Sequence, residues 1–169
     1  MLDATVAAIK KSLEESGGVP RSILARAMGS CLHDFYAGVE DVLELIAVNF
    51  DEMTEKTERW HRDLLDRMGG ESWRSRPPVL SASLRDALED YLDFRNLYRN
   101  RPGHKLDPAL MAPLLERIPA VYGQFRDEVR EFIKFLNAAA FEQEMAGFKE
   151  NEGGNARRAP TDRPAKPRG

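Results

Sequence analysis

The stretch YLDFRNLYRNRPGHKLDP, residues 91–108, predicts the end of one helix, a turn and the start of another helix. Arg101 precedes a proline, which disfavours the α region, so the first helix is predicted to end near it. Gly103 allows a sharp change of chain direction. Asp107 and Pro108 have the form of an N-cap and a first-turn proline, so a second helix is predicted to begin there. The turn between the two helices carries a histidine.

The helix before the turn is predicted over about residues 83–100 and is amphipathic. With 100° per residue its apolar side chains share one sector, namely Leu84, Ala87, Leu88, Tyr91, Phe94 and Tyr98. Arg95 falls inside this sector and Arg99 on its edge. Because an unpaired buried guanidinium is very costly, two interpretations of Arg95 stay open. It forms an ion pair with an acid such as Asp34 or Asp41 on the preceding long helix, or it contacts a phosphate.

The rest of the chain is also predicted to be helical. A long helix begins near Pro20, because apolar residues recur at steps of three or four for about seven turns: Ile23, Ala27, Cys31, Phe35, Val39, Val42, Ile46 and Phe50. Gly38 in this helix predicts a close helix crossing. Further helices are predicted at about 3–16, 58–68, 108–117 and 120–145, with a break at Pro119. No strand pattern is visible, so the fold class is all-α, a bundle of four or five main helices.

Composition narrows the class of protein. The 169 residues are 42% hydrophobic and 31% charged, which is typical of a helical domain in solution. No signal-peptide pattern and no apolar run long enough for a membrane span are visible. A single cysteine, Cys31, cannot form an internal disulfide and fits a reducing compartment, so we expect a cytoplasmic protein without membrane contact.

Charge divides the chain into two parts. Residues 151–169 contain five basic and two acidic side chains, a net of +3, whereas the remainder carries −6. The domains are therefore predicted as a helical bundle over 1–148 and a disordered basic tail over 149–169. The acidic body argues against broad nucleic-acid binding, but one local basic patch is present. It comprises Arg95, Arg99, Arg101, His104 and Lys105.

The segment Arg99-Asn100-Arg101-Pro102-Gly103-His104 resembles the Arg–polar–His ribonuclease signature of the HEPN superfamily. Its flanks over 94–107, together with residues 32–36 and 60–65, resemble the HepT-like branch, and the resemblance covers roughly 2–136. It implies a HEPN-type bundle with RNA as substrate, a cleft formed between two protomers of a homodimer, and a nucleotidyltransferase antitoxin as partner.

The same residues have a direct chemical use. Cleavage of RNA without a metal requires proton transfer and stabilisation of charge on the phosphorane. His104 is predicted to act as general acid or base, Arg99 to stabilise the phosphate and Asn100 to orient it. Further RNA contacts are predicted from Arg95, Asn96, Arg101 and Lys105. In the alternative interpretation, these residues form an ordinary solvated helix end, and the loop histidine has no catalytic role.

No cofactor or metal is predicted. Glu58 and His61 have the Glu-x-x-His spacing of di-iron sites, but a second such pair is missing from the sequence. We therefore interpret His33, Asp34 and His61 as polar contacts within or beside the bundle.

One departure from the family pattern favours a second hypothesis. HepT toxins carry a tyrosine two places after the histidine, where the antitoxin attaches nucleotides, and this chain has Leu106 there. Pro102-Gly103 also interrupts the motif. The alternative is a catalytically inactive HEPN-type helical protein that binds RNA or a protein partner.

Overall fold

A computed structural model describes Lys11 and residues 20–53, 56–70, 76–100 and 106–155, with side chains described up to Ala146. Within these residues there are four helices and no strand: α1 (Arg21–Phe50), α2 (Trp60–Gly69), α3 (Ala82–Asn100) and α4 (Pro108–Asn155). The predicted all-α class is confirmed. The predicted helix at about 3–16, apart from Lys11, and residues 156–169 of the predicted tail lie outside the described residues.

Helix α1 buries a broader face than the predicted single row of apolar residues. Ile23 and Phe50, at the two ends of that row, are 57% and 45% exposed. Between them, side chains outside the row are buried as well: Met28, Leu32, Tyr36, Leu43 and Ala47. The reason is that α1 packs against both α2 and α3 and therefore buries a wide sector.

Helix α3 lies antiparallel to its neighbours α2 and α4. Arg62 of α2 pairs with Asp93, and the position of Gly69 lies against the Arg85 side chain, so contacts run in opposite order along the two helices. On the other side, Arg117 of α4 pairs with Asp90, and Glu128 accepts hydrogen bonds from Ser81. Helix α3 therefore has a fixed axial position, which determines where its C-terminal end lies.

A buried ion pair joins the end of α1 to the connection before α3. Arg76 donates to both carboxylate oxygens of Asp51, at 2.7 and 2.5 Å, and also to the carbonyl of Pro77 at 3.1 Å. The Arg76 and Asp51 side chains are 6% and 0% exposed. The Arg76 guanidinium also lies 5.7 Å from the ring centroid of Phe132 on α4. One arginine thus contacts three parts of the bundle.

Helix α4 begins as predicted but does not break as predicted. The Asp107 carboxylate accepts the N–H of Ala109 at 3.0 Å and a bond from Arg21 at 2.8 Å, and these two contacts lower the pKa of Asp107. The predicted break at Pro119 is wrong, since one helix runs through both Pro113 and Pro119. Buried residues on both sides of Pro119 hold this helix against the bundle: Met111, Leu115, Ile118, Val121 and Phe125.

The compact unit that contains these contacts ends at Phe132, and the remainder of α4 belongs to a second unit. In that second unit, Ile133 is 48% exposed, Phe141 63% and Met145 45%. The helix continues to Asn155, beyond the predicted end near Met145.

The close helix approach predicted at Gly38 occurs instead at Gly29. A Cβ atom at Gly38 would meet nothing within 4 Å, so that prediction is wrong. Gly38 lines an open, largely apolar groove of about 320 Å³ between α1 and α4, with Val39 and Phe125 among its walls. At Gly29, by contrast, a Cβ would lie 2.6 Å from Cε2 of Tyr98 and 3.1 Å from Cδ1 of Leu106.

These two glycines give a matched stability prediction. Gly38→Ala should stabilise the protein by about 0.5–1 kcal/mol, because alanine is the better helix former and the site is open. Gly29→Ala gains the same propensity but forces the Tyr98 ring aside, and such overpacking costs about 1–3 kcal/mol. We expect Gly29→Ala to be less stable than wild type when the urea midpoints of all three proteins are compared. Equal gains at both positions would contradict the close contact at Gly29.

Candidate functional site

The last turn of α3 presents a polar strip to solvent, formed by Asn96, Arg99 and Asn100. All three are exposed, and their spacing of three and four places them on one face of the helix. The Asn100 side-chain amide donates to the Asn96 carbonyl, one turn earlier in the helix, at 2.8 Å. Among the described residues no carboxylate pairs with the Arg99 guanidinium.

The other predicted motif residues, Arg101, His104 and Lys105, lie outside the described residues. Leu106, the first described residue after this segment, is 7% exposed. Leu106 and Tyr98 both lie against the position of Gly29 on α1. The described residues on either side of the motif segment therefore pack against the same point of α1.

An aromatic stack supports this end of α3. The ring of His33 on α1 stacks on Tyr98 at 5.5 Å between centroids, and Tyr98 stacks on Phe94 at 5.9 Å. The Nδ1 atom of His33 is buried and has no hydrogen-bond partner among the described residues. Its neighbour Asp34 accepts a bond from Ser30 at 3.3 Å. Asp34 thus makes a polar contact, as predicted, whereas the contact that the structure shows for His33 is the ring stack on Tyr98.

Arg95 forms an ion pair inside the bundle. Its Nη2 atom lies 3.1 Å from Oε2 of Glu40 on α1, and Arg95 is 9% exposed. The ion-pair interpretation was therefore correct in kind, but the partner is Glu40 rather than Asp34 or Asp41. Glu40 was not among the acids predicted to pair with Arg95, although it falls four residues after the buried Tyr36 on the same face of α1.

The other oxygen of Glu40 contacts His61. Oε1 of Glu40 bonds Nδ1 of the imidazole, so one buried carboxylate joins His61 on α2 to Arg95 on α3. Burial, and then the charge of Glu40, raise the pKa of the neighbouring Tyr36 hydroxyl well above its ordinary value. The prediction that His61 makes a polar contact in the bundle is confirmed, and its partner is Glu40, not Glu58. Among the described residues no group of three or more histidine, cysteine or acidic side chains could hold a metal ion.

A polar groove of about 160 Å³ lies beside this cluster. We call it the His61 groove; its lining residues are Glu58, Arg59, His61, Arg62, Leu92 and Asn96. Asn96 belongs to both the groove and the polar strip of α3. The structure therefore separates the predicted α3 residues into two groups: Arg95 is internal, whereas Asn96, Arg99 and Asn100 are exposed.

Comparison with known proteins identifies the class to which this fold and helix end belong. The model of the family described as HepT-like protein matches residues 27–136, from within α1 to within α4. The chain belongs to this family and carries a HepT-like, HEPN-type domain. HepT-like proteins are generally associated with toxin–antitoxin systems.

The match includes the whole motif segment from Arg99 to His104. No curated protein and no solved structure matched the chain. None of the helices in the described part of the chain has the length and apolar content needed to cross a membrane.

Proposed function

We propose that this HepT-like protein is a toxin-type RNA endonuclease that cleaves RNA without a metal ion. Arg99 stabilises the phosphate, Asn100 orients it and His104 transfers protons. The observation that carries the proposal is the contrast between the two arginines of α3. Arg95 is buried in an ion pair, whereas Arg99, one turn later, is exposed and has no carboxylate partner among the described residues. A guanidinium left exposed at a helix end can bind a phosphate directly.

The covalent chain supports placing His104 near this arginine. His104 precedes the buried Leu106 by two positions, and two residues span at most about 7 Å. Leu106 in turn packs on Gly29 together with Tyr98, the residue immediately before Arg99. An imidazole and a guanidinium can therefore approach one phosphate without long-range rearrangement.

Leu106 also limits the kind of regulation that we propose. It has no hydroxyl group and is 7% exposed, so a nucleotide cannot be attached at this position. We propose that a nucleotidyltransferase antitoxin instead neutralises the protein by covering the polar strip of α3. Co-purification with a co-expressed antitoxin, and loss of cleavage in the complex, would support this mode.

The function is tested by incubating the purified protein with total RNA and with tRNA in the presence of EDTA. Cleavage by wild type, and none by a folded His104→Ala protein, is the expected result. If wild type cleaves nothing, alone or with its partner, the second candidate replaces the first. That candidate is a catalytically inactive HEPN-type interaction or RNA-binding protein, and Leu106 at the family's tyrosine position is the observation that favours it.

We further propose that the protein acts as a homodimer, because the family resemblance implies a cleft completed by a second copy. Leu97, on α3 beside the polar strip, is 39% exposed and is available for such an interface. Light scattering at micromolar concentration should give twice the chain mass of 19.1 kDa. Leu97→Glu should shift the mass toward the monomer, whereas Leu110→Glu, at a leucine that is 77% exposed on α4, should not. A monomer mass for wild type, with or without RNA, would argue against the dimer.

A further inference from the structure

The His61 groove contains a histidine whose ring is oriented from inside the protein. Nδ1 bonds the carboxylate of Glu40, which is only 7% exposed and whose second oxygen pairs with Arg95. A carboxylate on one ring nitrogen fixes the tautomer and the ring orientation. This leaves Nε2 of His61 as the ring nitrogen that a ligand in the groove can reach.

The groove also favours an anion. Arg59 and Arg62 line it beside His61, and Glu58 is the acidic residue among its lining side chains. Arg62 is fully compensated, since its guanidinium lies 3.0 Å from Asp93 and 3.7 Å from Glu89, which leaves Arg59 as the lining arginine without a carboxylate partner among the described residues.

On the buried side of the cluster, the charges of Arg95 and Glu40 balance each other. Among the described residues, Glu40 is the carboxylate that contacts both Arg95 and His61, and Arg95 Nε and Nη1 have no hydrogen-bond partner there. When His61 is protonated, these three side chains carry a net charge of +1. An anion bound in the groove would balance this charge, so protonated His61 would attract a phosphate.

We propose that the His61 groove is a phosphate subsite for the RNA strand that reaches Arg99, and that Glu40 positions His61 to contact this phosphate. The proposal rests on the proposed function, because that function makes RNA the ligand. Asn96 lines the groove and lies one helical turn, about 5 Å along the axis, before Arg99 and Asn100. A strand bound at Arg99 can therefore continue along α3 into the groove.

The test measures binding rather than cleavage, with a short 2′-O-methyl RNA that the proposed reaction cannot cut. His61→Ala should weaken binding in a fluorescence-anisotropy titration by about tenfold, the usual size for loss of a charge-assisted hydrogen bond. The control is Arg117→Ala, which removes a charged side chain that lies on α4 and pairs with Asp90 away from the groove lining. It should bind like wild type.

Nuclear magnetic resonance separates contact from a merely structural role. The chain has three histidines, so the signal missing from His61→Ala identifies His61. Titration of wild type with inorganic phosphate, and then with the RNA, should shift this signal. In Glu40→Gln the His61 signal should start from a different position, and RNA should bind more weakly. The wild-type titration decides the matter even if that variant does not fold.

Three outcomes are distinguishable. If His61→Ala binds RNA like wild type and the His61 signal does not move, the subsite is refuted while the Arg99 proposal stands. If phosphate moves the signal but RNA does not bind wild type, the groove is an anion site and its assignment to RNA is refuted together with the proposed function. If RNA shifts the signal and His61→Ala weakens binding, the subsite is supported.

Discussion

His104→Ala is expected to lower the rate of RNA cleavage in EDTA by about 10²–10⁴, because it removes the proposed general acid or base. Arg99→Ala should cost about 10²–10³, comparable to the loss of one donor that stabilises transition-state charge. Arg99 is exposed and makes no ion pair within the described residues, so its loss should leave the melting temperature nearly unchanged. Single-turnover rates on one defined RNA, with the fold checked by circular dichroism, give both numbers.

A comparison of the two arginines of α3 makes this test specific. Arg95→Ala leaves Glu40 buried without its arginine partner, so it should lower both stability and activity. Arg99→Ala should lower activity alone, and Arg117→Ala, which removes an exposed arginine of α4, should lower neither. If folded His104→Ala and wild type cleave at the same rate, the activity comes from elsewhere on the protein or from a contaminant.

The largest loss of stability is expected from Asp51→Ala. This change leaves the Arg76 guanidinium, which is 6% exposed, without its bidentate partner. Removing one member of a buried ion pair typically costs about 3–5 kcal/mol. For a chain of this length, that corresponds to a melting temperature lower by roughly 6–20 °C. Differential scanning calorimetry measures the shift.

Two further variants show whether the unpaired charge of Arg76 causes this loss of stability. Asp127→Ala removes a carboxylate that is 62% exposed and pairs with Arg126, so the melting temperature should barely change. Adding Arg76→Met to Asp51→Ala should recover part of the lost stability, because the unpaired cation is gone. If the double variant is no more stable than Asp51→Ala, lost packing rather than unpaired charge explains the effect.

Local chemistry made several elements predictable. Proline at position 102 and the Asp107-Pro108 pair gave the end of α3 and the start of α4, since these residues restrict the backbone directly. The apolar sector of α3 likewise showed that Arg95 needed a compensating charge. The partner could not be read from periodicity, because the candidate acids on α1 differ only in the direction they face, and the rotation of α1 depends on its packing against α2 and α3.

The predictions at Pro119 and Gly38 were wrong for a related reason, since packing between helices decided both. Pro119 removes one hydrogen bond, which predicts a break locally, but burial of Ile118 and Val121 on either side keeps α4 continuous. Gly29 and Gly38 look alike in the sequence, and only the rotation of α1 decides which one meets another helix. The role of His104 stays a prediction, because that residue lies outside the described part of the chain.

The buried thiol of Cys31 can report on local opening of α1 through the rate at which it is labelled. It lies on α1 two residues from both Gly29 and His33, is 8% exposed, and burial followed by the charge of Asp34 raises the pKa of its thiol. Since the thiolate is the reactive form, a maleimide should modify Cys31 only when this part of α1 opens. The labelling rate therefore reports how often the part of α1 that packs against the C-terminal end of α3 opens. Slower labelling on addition of RNA or antitoxin would show their binding without an engineered label.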